Sequence, residues 1–132
     1  MTNSRSKGAE GERELARELT RVLGCRARRG QQYSGSPESP DVVTDIPGIH
    51  IECKRTETLR LYDALAQSAR DAGPDEVPLV IHRRNRGKWI VIVELEDLTR
   101  LADRLQAFRA TNGSQRLAET TTGRIASRGS RP

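Results

Sequence analysis

The sequence predicts an α/β domain in which about five β-strands form a sheet flanked by α-helices. Three observations support this fold class. A helical repeat of apolar residues runs from Ala9 to Leu23, and two pairs of β-branched runs follow it. A second helical repeat, from about Leu59 to Ala72, separates the two pairs, and a third begins at Glu96. Helices that alternate with strands are typical of layered α/β domains.

Length and charge limit the classes of protein to consider. With 132 residues, 34% of them hydrophobic, and a single Phe and a single Trp, the chain fits one domain with a small aliphatic core. We expect this domain to span residues 1–112, and a basic tail rich in Ser, Thr, Gly and Arg to span residues 113–132. The net charge of +5 and the pI near 9.9 favour a polyanionic partner such as nucleic acid.

Cysteine spacing and hydropathy predict a protein of the cytoplasm. Cys25 and Cys53 are the only cysteines and form no CxxC motif, so neither a disulfide framework nor a zinc site is predicted. No apolar signal segment is visible, and no apolar run approaches the roughly 18 residues that a membrane span needs. We therefore expect a cytoplasmic protein with no membrane partner.

The first helix is predicted to carry one charged residue on its apolar side. Residues 1–8, which precede it, are polar and expected to be flexible. Glu12 lies three residues from both Ala9 and Leu15, so its carboxylate lies along the apolar stripe. Either Glu12 is an edge residue that pairs with Arg13 or Arg17, or it is a third acid of a metal site. The stripe itself consists of Ala9, Leu15, Leu19, Val22 and Leu23.

One predicted strand places an acid beside an amine. Side chains alternate between the two faces of a strand, so Glu52 and Lys54 share one face while Ile51 and Cys53 anchor the other. An Ile-Pro-Gly turn precedes this strand, and a hairpin through that turn brings back Asp41. A two-residue loop would put Asp41 opposite Glu52, whereas a three-residue loop would put it opposite Cys53 unless a bulge intervened.

Two carboxylates beside a lysine predict phosphodiester hydrolysis. Asp41 and Glu52 would repel each other unless a divalent cation lay between them, and hard oxygen ligands suit Mg²⁺, for which Mn²⁺ can substitute. Such an ion polarises a phosphate oxygen and activates water, while Lys54 orients that water or neutralises developing charge. The alternative is an exposed, salt-bridged sheet face without catalytic function.

Clusters of arginine predict where nucleic acid would bind. One cluster precedes the Gly- and Ser-rich loop of residues 31–39, one follows the acid–lysine strand, and one forms the tip of the second hairpin. The alternatives are a solvated connector and a charged tip that keeps the hairpin soluble. The side chains expected to contact DNA are Arg28, Arg29, Ser34, Ser36, Arg55, Arg84 and Arg86.

Apolar patterns predict the remaining elements. Val77–Arg83 and Lys88–Val93 are expected to form a β-hairpin. His50 and His82 lack metal-ligand spacing and are interpreted as satisfied structural histidines. The alternative for His50, which shares a face with Glu52, is a neighbour of the metal ligands. The second helix is expected to bury Leu61, Leu65, Ala69 and Ala72. The last helix has an apolar seam of Leu98, Leu101, Ala102, Leu105 and Phe108.

Three motifs follow one another in a specific order. Lys7-Gly8-Ala9-x-x-Glu12-Arg13-Glu14-Leu15 opens a helix, Pro40-Asp41-Val42-Val43 follows a basic loop, and Ile51-Glu52-Cys53-Lys54 lies on the next strand. In these motifs the chain resembles the Holliday junction resolvases of archaea and their phage-encoded relatives, within the PD-(D/E)xK nuclease superfamily. The resemblance spans roughly residues 7–98.

The resemblance implies a fold, an assembly and a set of residue roles. It implies a restriction-endonuclease-like α/β core with a central mixed sheet, and a homodimer whose two active sites make paired, symmetric nicks across a four-way DNA junction. The catalytic residues that it implies are Glu12, Asp41, Glu52 and Lys54. Asp41, Glu52 and the backbone carbonyl of Cys53 would bind the metal, with Glu12 as an additional acid, and Arg13 would contact a phosphate.

Two other functions are compatible with the same motifs. A repair or restriction-type endonuclease of the superfamily would use the same acids and lysine on duplex or flap DNA. A non-catalytic DNA-binding module would keep the acids for structural reasons alone. The intact set of acids and lysine favours an enzyme over such a module.

Overall fold

The structure, a computed structural model, describes residues 4–30 and 40–112, with side chains from residue 8 onward. The predicted tail, residues 113–132, and the loop serines Ser34 and Ser36 lie outside the described residues. In chain order the elements are α1 (Ser4–Leu23), β1 (Ala27–Arg29), β2 (Val42–Thr44), β3 (Ile49–Arg55), α2 (Leu61–Asp71), β4 (Val77–Arg83), β5 (Ile90–Ile92), a 3₁₀ turn (Leu95–Asp97) and α3 (98–112).

The five strands form one mixed sheet in the order β1-β2-β3-β4-β5. β3 and β4 pair in parallel, and the other neighbouring strands pair antiparallel. Because a tight turn cannot join two parallel strands, the chain crosses from β3 to β4 through α2, which packs against both. The predicted α/β fold with a central mixed sheet is therefore confirmed.

The register of β2 on β3 sets the position of the acids. Val42 pairs with Ile51, and in this register Asp41 lies across from Glu52. This is the register expected for a two-residue loop, although the connection between β2 and β3 is longer and consists of residues 45 to 48. Gly48 ends the connection with a φ of +80°, a conformation that favours glycine.

The main core lies between α1, α3 and one face of the sheet. On the opposite face, α2 packs Ala64 and Leu65 against Val80 of β4. Because side chains alternate along a strand, the burial of Ile51 in the main core turns Glu52 toward α2. The largest contributors to the main core are Leu15, Leu19, Ile51, Leu79, Ile81 and Phe108.

The first helix differs from its prediction in where it begins and in which residues of its apolar stripe are buried. α1 begins at Ser4 rather than Ala9, so residues 4–8, which were expected to be flexible, are helical. A nucleated helix extends with one backbone hydrogen bond per residue and needs no apolar face to do so. Val22, which was assigned to the buried stripe, is 54% exposed because it lies at the edge of that stripe, whereas Ala16 is buried.

The buried face of α2 also differs from prediction. Leu61 and Ala69 were expected to be buried and are exposed. The buried residues of α2 are Ala64, Leu65 and Ser68. Ser68 tolerates burial because its hydroxyl donates a hydrogen bond to the carbonyl of Leu79 at 2.9 Å. A sequence pattern based on apolar residues alone does not predict that a serine such as Ser68 is buried.

The last helix and the last strand match their predictions in part. Phe108 is buried, and Leu101 and Leu105 pack against the core, but Leu98 and Ala102 are exposed. Strand β5 is shorter than the predicted run of residues 88–93. No helix among the described residues has the length and apolarity to cross a membrane.

Candidate active site

Strand β3 presents an acid and a lysine on the face that α2 covers. Glu52 is only 5% exposed, so it does not belong to an exposed, salt-bridged sheet face. The Nζ of Lys54 lies 3.5 Å from Oε1 of Glu52. The same Nζ lies 3.5 Å from Oε1 of Gln67, which α2 brings over the strand. The ammonium of Lys54 is therefore held between an acid and an amide.

Asp41 is fixed at the start of β2 by contacts on both its backbone and its side chain. Its N–H donates to the carbonyl of Ile51 at 3.0 Å, and its carbonyl accepts from the N–H of Gly30 at 2.8 Å. Its Oδ2 accepts a hydrogen bond from the N–H of Cys53 at 2.9 Å. The carboxylate of Asp41 is thus anchored beside the Glu52-Cys53 peptide before any substrate binds.

Asp41 and Glu52 form a pair of buried carboxylates. Burial, and next the negative charge of Asp41, raise the pKa of Glu52 to about 7, while Lys54 opposes the shift. Two carboxylates in such a place need a proton or a cation between them, since both charges cannot stay uncompensated away from water. Carboxylate oxygens are the donors that Mg²⁺ and Mn²⁺ prefer, so the residues present fit the predicted ion.

Glu12 of α1 lies at the edge of this pair. Its Oε2 accepts a hydrogen bond from Nε of Arg29 at 2.6 Å, so its partner is neither Arg13 nor Arg17. Burial raises the pKa of Glu12, the hydrogen bond from Arg29 opposes that shift, and the negative charge of Asp41 adds to it. Because the negative charge of Asp41 acts on Glu12, the two carboxylates belong to one electrostatic group, with Arg29 bound to Glu12.

Cys53 contributes its backbone rather than its sulfur. Burial raises the pKa of the Cys53 thiol, and the negative charges of Asp41 and Glu12 raise it further. The thiol therefore stays protonated at neutral pH and is no thiolate ligand. The peptide N–H of Cys53 holds Asp41, as described above, which places the Cys53 backbone beside the acid pair.

The predicted DNA-contacting cations divide into exposed and internally paired groups. Arg13, Arg28, Arg84 and Arg86 are exposed. Arg29 is exposed but bound to Glu12. The side chain of Arg55 is only 18% exposed, with Nε 3.7 Å from Glu14 and Nη1 donating to Asn85 at 3.1 Å. The structure thus gives Arg55 a role in joining β3 to α1 and to the hairpin tip.

The two histidines have different surroundings. Nε2 of His82 lies 2.8 Å from the carbonyl of Thr56, which agrees with a satisfied structural histidine. His50 is fully buried, and neither of its ring nitrogens has a hydrogen-bond partner. The interpretation of His50 as a satisfied residue is therefore wrong. A ligand atom of His50 lies within 4.8 Å of carboxylate oxygens of Glu52 and Asp71.

Of the two residues that α2 brings to the site, the sequence suggested Gln67, with a plain surface glutamine as the alternative, and did not single out Asp71. Gln67 and Asp71 both lie on α2, far along the chain from the acid–lysine strand. A polar residue on an amphipathic helix is usually a surface residue, so only the packing of α2 on β3 identifies these two side chains. The side chain of Tyr62, on the same helix, is 85% exposed rather than half-buried.

Known proteins that the chain is similar to fall into one class. A family model described as phage putative PDDEXK endonuclease matches residues 3–125. Among solved structures, the chain is similar to Hjc of Archaeoglobus fulgidus, a Holliday junction resolvase from an archaeal hyperthermophile. The TM-score is 0.50 and the sequence identity 29%, over 66% of this chain and 72% of that chain. This likeness confirms the predicted restriction-endonuclease-like fold. No curated protein sequence matches.

Proposed function

Because the chain belongs to the phage putative PDDEXK endonuclease family, we propose that it is a Mg²⁺-dependent endonuclease that resolves four-way DNA junctions by phosphodiester hydrolysis. The observation that carries this proposal is the convergence of Asp41 and Glu52, a buried carboxylate pair, with Lys54. The likeness to an archaeal Holliday junction resolvase supports the junction as the substrate.

Each residue of the site has a proposed role. Asp41, Glu52 and the backbone carbonyl of Cys53 would hold the ion, and Glu12 would be the additional acid. When bound, Mg²⁺ or Mn²⁺ supplies Lewis-acid polarisation of the scissile phosphate. Lys54 donates to the attacking water or to a phosphate oxygen as negative charge develops on the phosphoryl group.

Two hydrogen bonds keep the carboxylate of Asp41 and the ammonium of Lys54 in position. The Cys53 N–H holds the Asp41 carboxylate, and the side-chain oxygen of Gln67 accepts a hydrogen bond from the ammonium of Lys54. Such fixed positions matter because phosphoryl transfer depends mainly on placing charge where it develops. We assign Gln67 as a positioning residue rather than a catalytic one.

DNA contacts are proposed for the exposed cations and the loop hydroxyls. Within residues 8–30 and 40–112, Arg13, Arg28, Arg84 and Arg86 form none of the ion pairs that engage Arg29 and Arg55. Gly30 and Pro40 flank the loop of residues 31–39 and adjoin Asp41, so Ser34 and Ser36 are proposed to meet the DNA near the scissile phosphate. Since two strands must be cut, the active species is proposed to be a homodimer.

A comparison of substrates tests the proposal. Purified protein is incubated with a labelled, immobile four-way junction and, in parallel, with linear duplex of the same sequence, each with Mg²⁺ and with EDTA. We expect cleavage of the junction alone and only with Mg²⁺. The Asp41→Asn variant, assayed beside it, controls for contaminating nucleases.

Each other outcome overturns a definite part of the proposal. Equal cleavage of junction and duplex would leave a metal-dependent endonuclease without junction selectivity. Binding without cleavage at any Mg²⁺ or Mn²⁺ concentration would favour a DNA-binding module. Undiminished cleavage in EDTA would exclude the divalent ion from the reaction.

A further inference from the structure

A second group of metal-ligating side chains lies on the α2 side of Glu52. His50 and Glu52 are neighbours on one face of β3, and Asp71 is the last residue of α2. One potential ligand atom from each of the three lies within 4.8 Å of the other two. Neither Asp41 nor Glu12 belongs to this cluster. Its distinguishing ligand is an imidazole, which the acid pair lacks.

The His50 ring is an unsatisfied polar group inside the protein. Its exposure is 0%, and neither Nδ1 nor Nε2 makes a hydrogen bond with any residue that the structure describes. The nearest recorded charged group is Glu76, whose Oε1 lies 3.8 Å from Nδ1 and already accepts a 2.7 Å hydrogen bond from the N–H of Gly73. A buried polar group left without a partner destabilises the folded state, and nearly all such groups in proteins find one.

The carboxylates near the His50 ring favour a bound cation. Glu52 and Asp71 are both acids, and the third group is an imidazole that binds metals in its neutral form. The cation that pairs with Glu52 is Lys54, whose Nζ lies 3.5 Å from Oε1 of Glu52. Lys54 is also held by Gln67, so its single charge does not balance both acids.

We propose that His50, Glu52 and Asp71 bind a borderline transition-metal cation, of which Zn²⁺ is the best match, at a site distinct from the Mg²⁺ site of Asp41. Imidazole nitrogen combined with carboxylate oxygen suits Zn²⁺, Co²⁺ or Mn²⁺ better than Mg²⁺. Zinc–ligand bonds of about 2.0–2.2 Å would bring the ligand atoms to roughly 3.5 Å apart, a small contraction of the cluster.

The two ions would share Glu52 as a ligand. A carboxylate has two oxygens and can therefore bridge two cations. Each cation would neutralise part of the negative charge of Glu52 and of the second acid that binds it, Asp41 or Asp71. The second site does not depend on the nuclease activity. Its ligands His50 and Asp71 lie outside the proposed catalytic set, so metal binding can be measured without a cleavage assay.

The ring nitrogens of the two histidines provide a direct test. His50 and His82 are the only histidines of the chain, so a ¹H–¹⁵N spectrum of the imidazoles contains two sets of signals. We expect Zn²⁺ added at one equivalent to shift a ring nitrogen of His50. The His82 signals serve as an internal control, because its Nε2 is already engaged by the Thr56 carbonyl. Mg²⁺ alone should not move the His50 signals.

Two variants separate this site from the proposed catalytic one. Asp71→Asn should weaken Zn²⁺ binding, measured by calorimetry, by at least about tenfold, because even the outer partners of metal ligands contribute 10- to 100-fold. Asp41→Asn should retain the Zn²⁺-induced shift of His50. Both variants are compared with the wild type by circular dichroism to confirm folding, and Asp71 is chosen because it is only half-buried.

Failure of this inference and failure of the proposed function give different results. Unchanged His50 signals at excess Zn²⁺, or equal Zn²⁺ affinity in wild type and Asp71→Asn, would overturn the second site whatever the cleavage assay shows. Loss of the His50 shift in Asp41→Asn would show that Zn²⁺ occupies the Asp41 site instead. Absence of junction cleavage would leave the His50 result unaffected.

Discussion

At the residue scale, Glu52 connects the groups that define the site. Its carboxylate is buried, contacts Asp41 and Lys54, and lies beside His50 and Asp71. A carboxylate in this position is costly to ionise without a compensating cation. The need for a proton or a cation at this carboxylate is thus a property of the folded protein.

Removing one acid of the pair should stop cleavage without removing binding. Asp41→Asn and Glu52→Gln keep side-chain size but lose the charge that holds the ion. We expect junction cleavage to fall by at least about 10³-fold, with junction affinity within about threefold of wild type in a gel-shift assay with Ca²⁺ in place of Mg²⁺. Full activity in either variant would refute the assignment of that acid.

The raised pKa of Glu52 predicts a pH dependence of stability in metal-free protein. Its ordinary value is 4.5 and its folded value about 7, so between these values the native state binds more protons than the unfolded state. Stability contributed by the protonated group is therefore present below pH 4.5, falls as pH rises toward 7, and levels off above it. Urea unfolding in EDTA between pH 5 and 8 measures this slope.

Substitution at Glu52 isolates its contribution to that slope. Glu52→Gln cannot ionise, so its stability should change less with pH than that of the wild type. Glu94→Gln, at an exposed position on the segment after β5, should behave as the wild type does. Identical slopes in wild type and Glu52→Gln would contradict the shift.

At the element scale, the close contact of α1 with β3 depends on Gly11. A Cβ at this position would meet Cβ of Arg55 at 2.6 Å. Alanine is favoured over glycine in a helix by about 1 kcal/mol, but forced overpacking costs about 1–3 kcal/mol. We expect Gly11→Ala to destabilise the protein by about 1 kcal/mol in urea unfolding. Since Glu12 is the next residue, cleavage should also slow.

Gly8 of the same helix is a matched control. Nothing lies within 4 Å of a Cβ placed there. Gly8→Ala should therefore stabilise the protein by about 0.5–1 kcal/mol through helix propensity alone. If Gly11→Ala and Gly8→Ala stabilised the protein equally, α1 would not pack against β3 as closely as the structure has it.

The hairpin between β4 and β5 should contribute to DNA affinity through its tip. Arg84→Gln and Arg86→Asn each remove one exposed cation, and asparagine tolerates the φ of +62° at Arg86. Each variant should weaken junction binding and reduce the slope of log affinity against log salt by about one. Fluorescence anisotropy across a salt series measures both quantities.

An arginine elsewhere serves as the control for charge. Arg109→Gln removes an exposed cation on α3, beside the C-terminal end of α1, and should leave the salt slope unchanged. If the tip variants and Arg109→Gln had the same effect, net charge rather than the hairpin tip would account for the affinity.

At the scale of the whole molecule, paired nicking requires two sites acting together. We expect a sedimentation mass twice the 14.7 kDa of the chain. With a supercoiled plasmid that extrudes a cruciform, wild type should give linear product, because both strands are cut in one encounter. An excess of Asp41→Asn protein should form mixed dimers and shift the product to nicked circles. Linear product that persisted in proportion to wild type would indicate independent monomers.

The sequence by itself determined the features that local geometry controls. Strand alternation placed Glu52 and Lys54 on one face, and the Ile-Pro-Gly turn indicated a hairpin that returns Asp41 opposite either Glu52 or Cys53. The pairing of Val42 with Ile51 in the folded sheet decided for Glu52. The tertiary structure alone decided that Glu12 pairs with Arg29, that Gln67 holds Lys54, and that a carboxylate oxygen of Asp71 comes within 4.8 Å of a ring nitrogen of His50. These contacts join α1 and α2 to strands distant in the chain, and they depend on how whole helices pack, which leaves no periodic signal in the sequence.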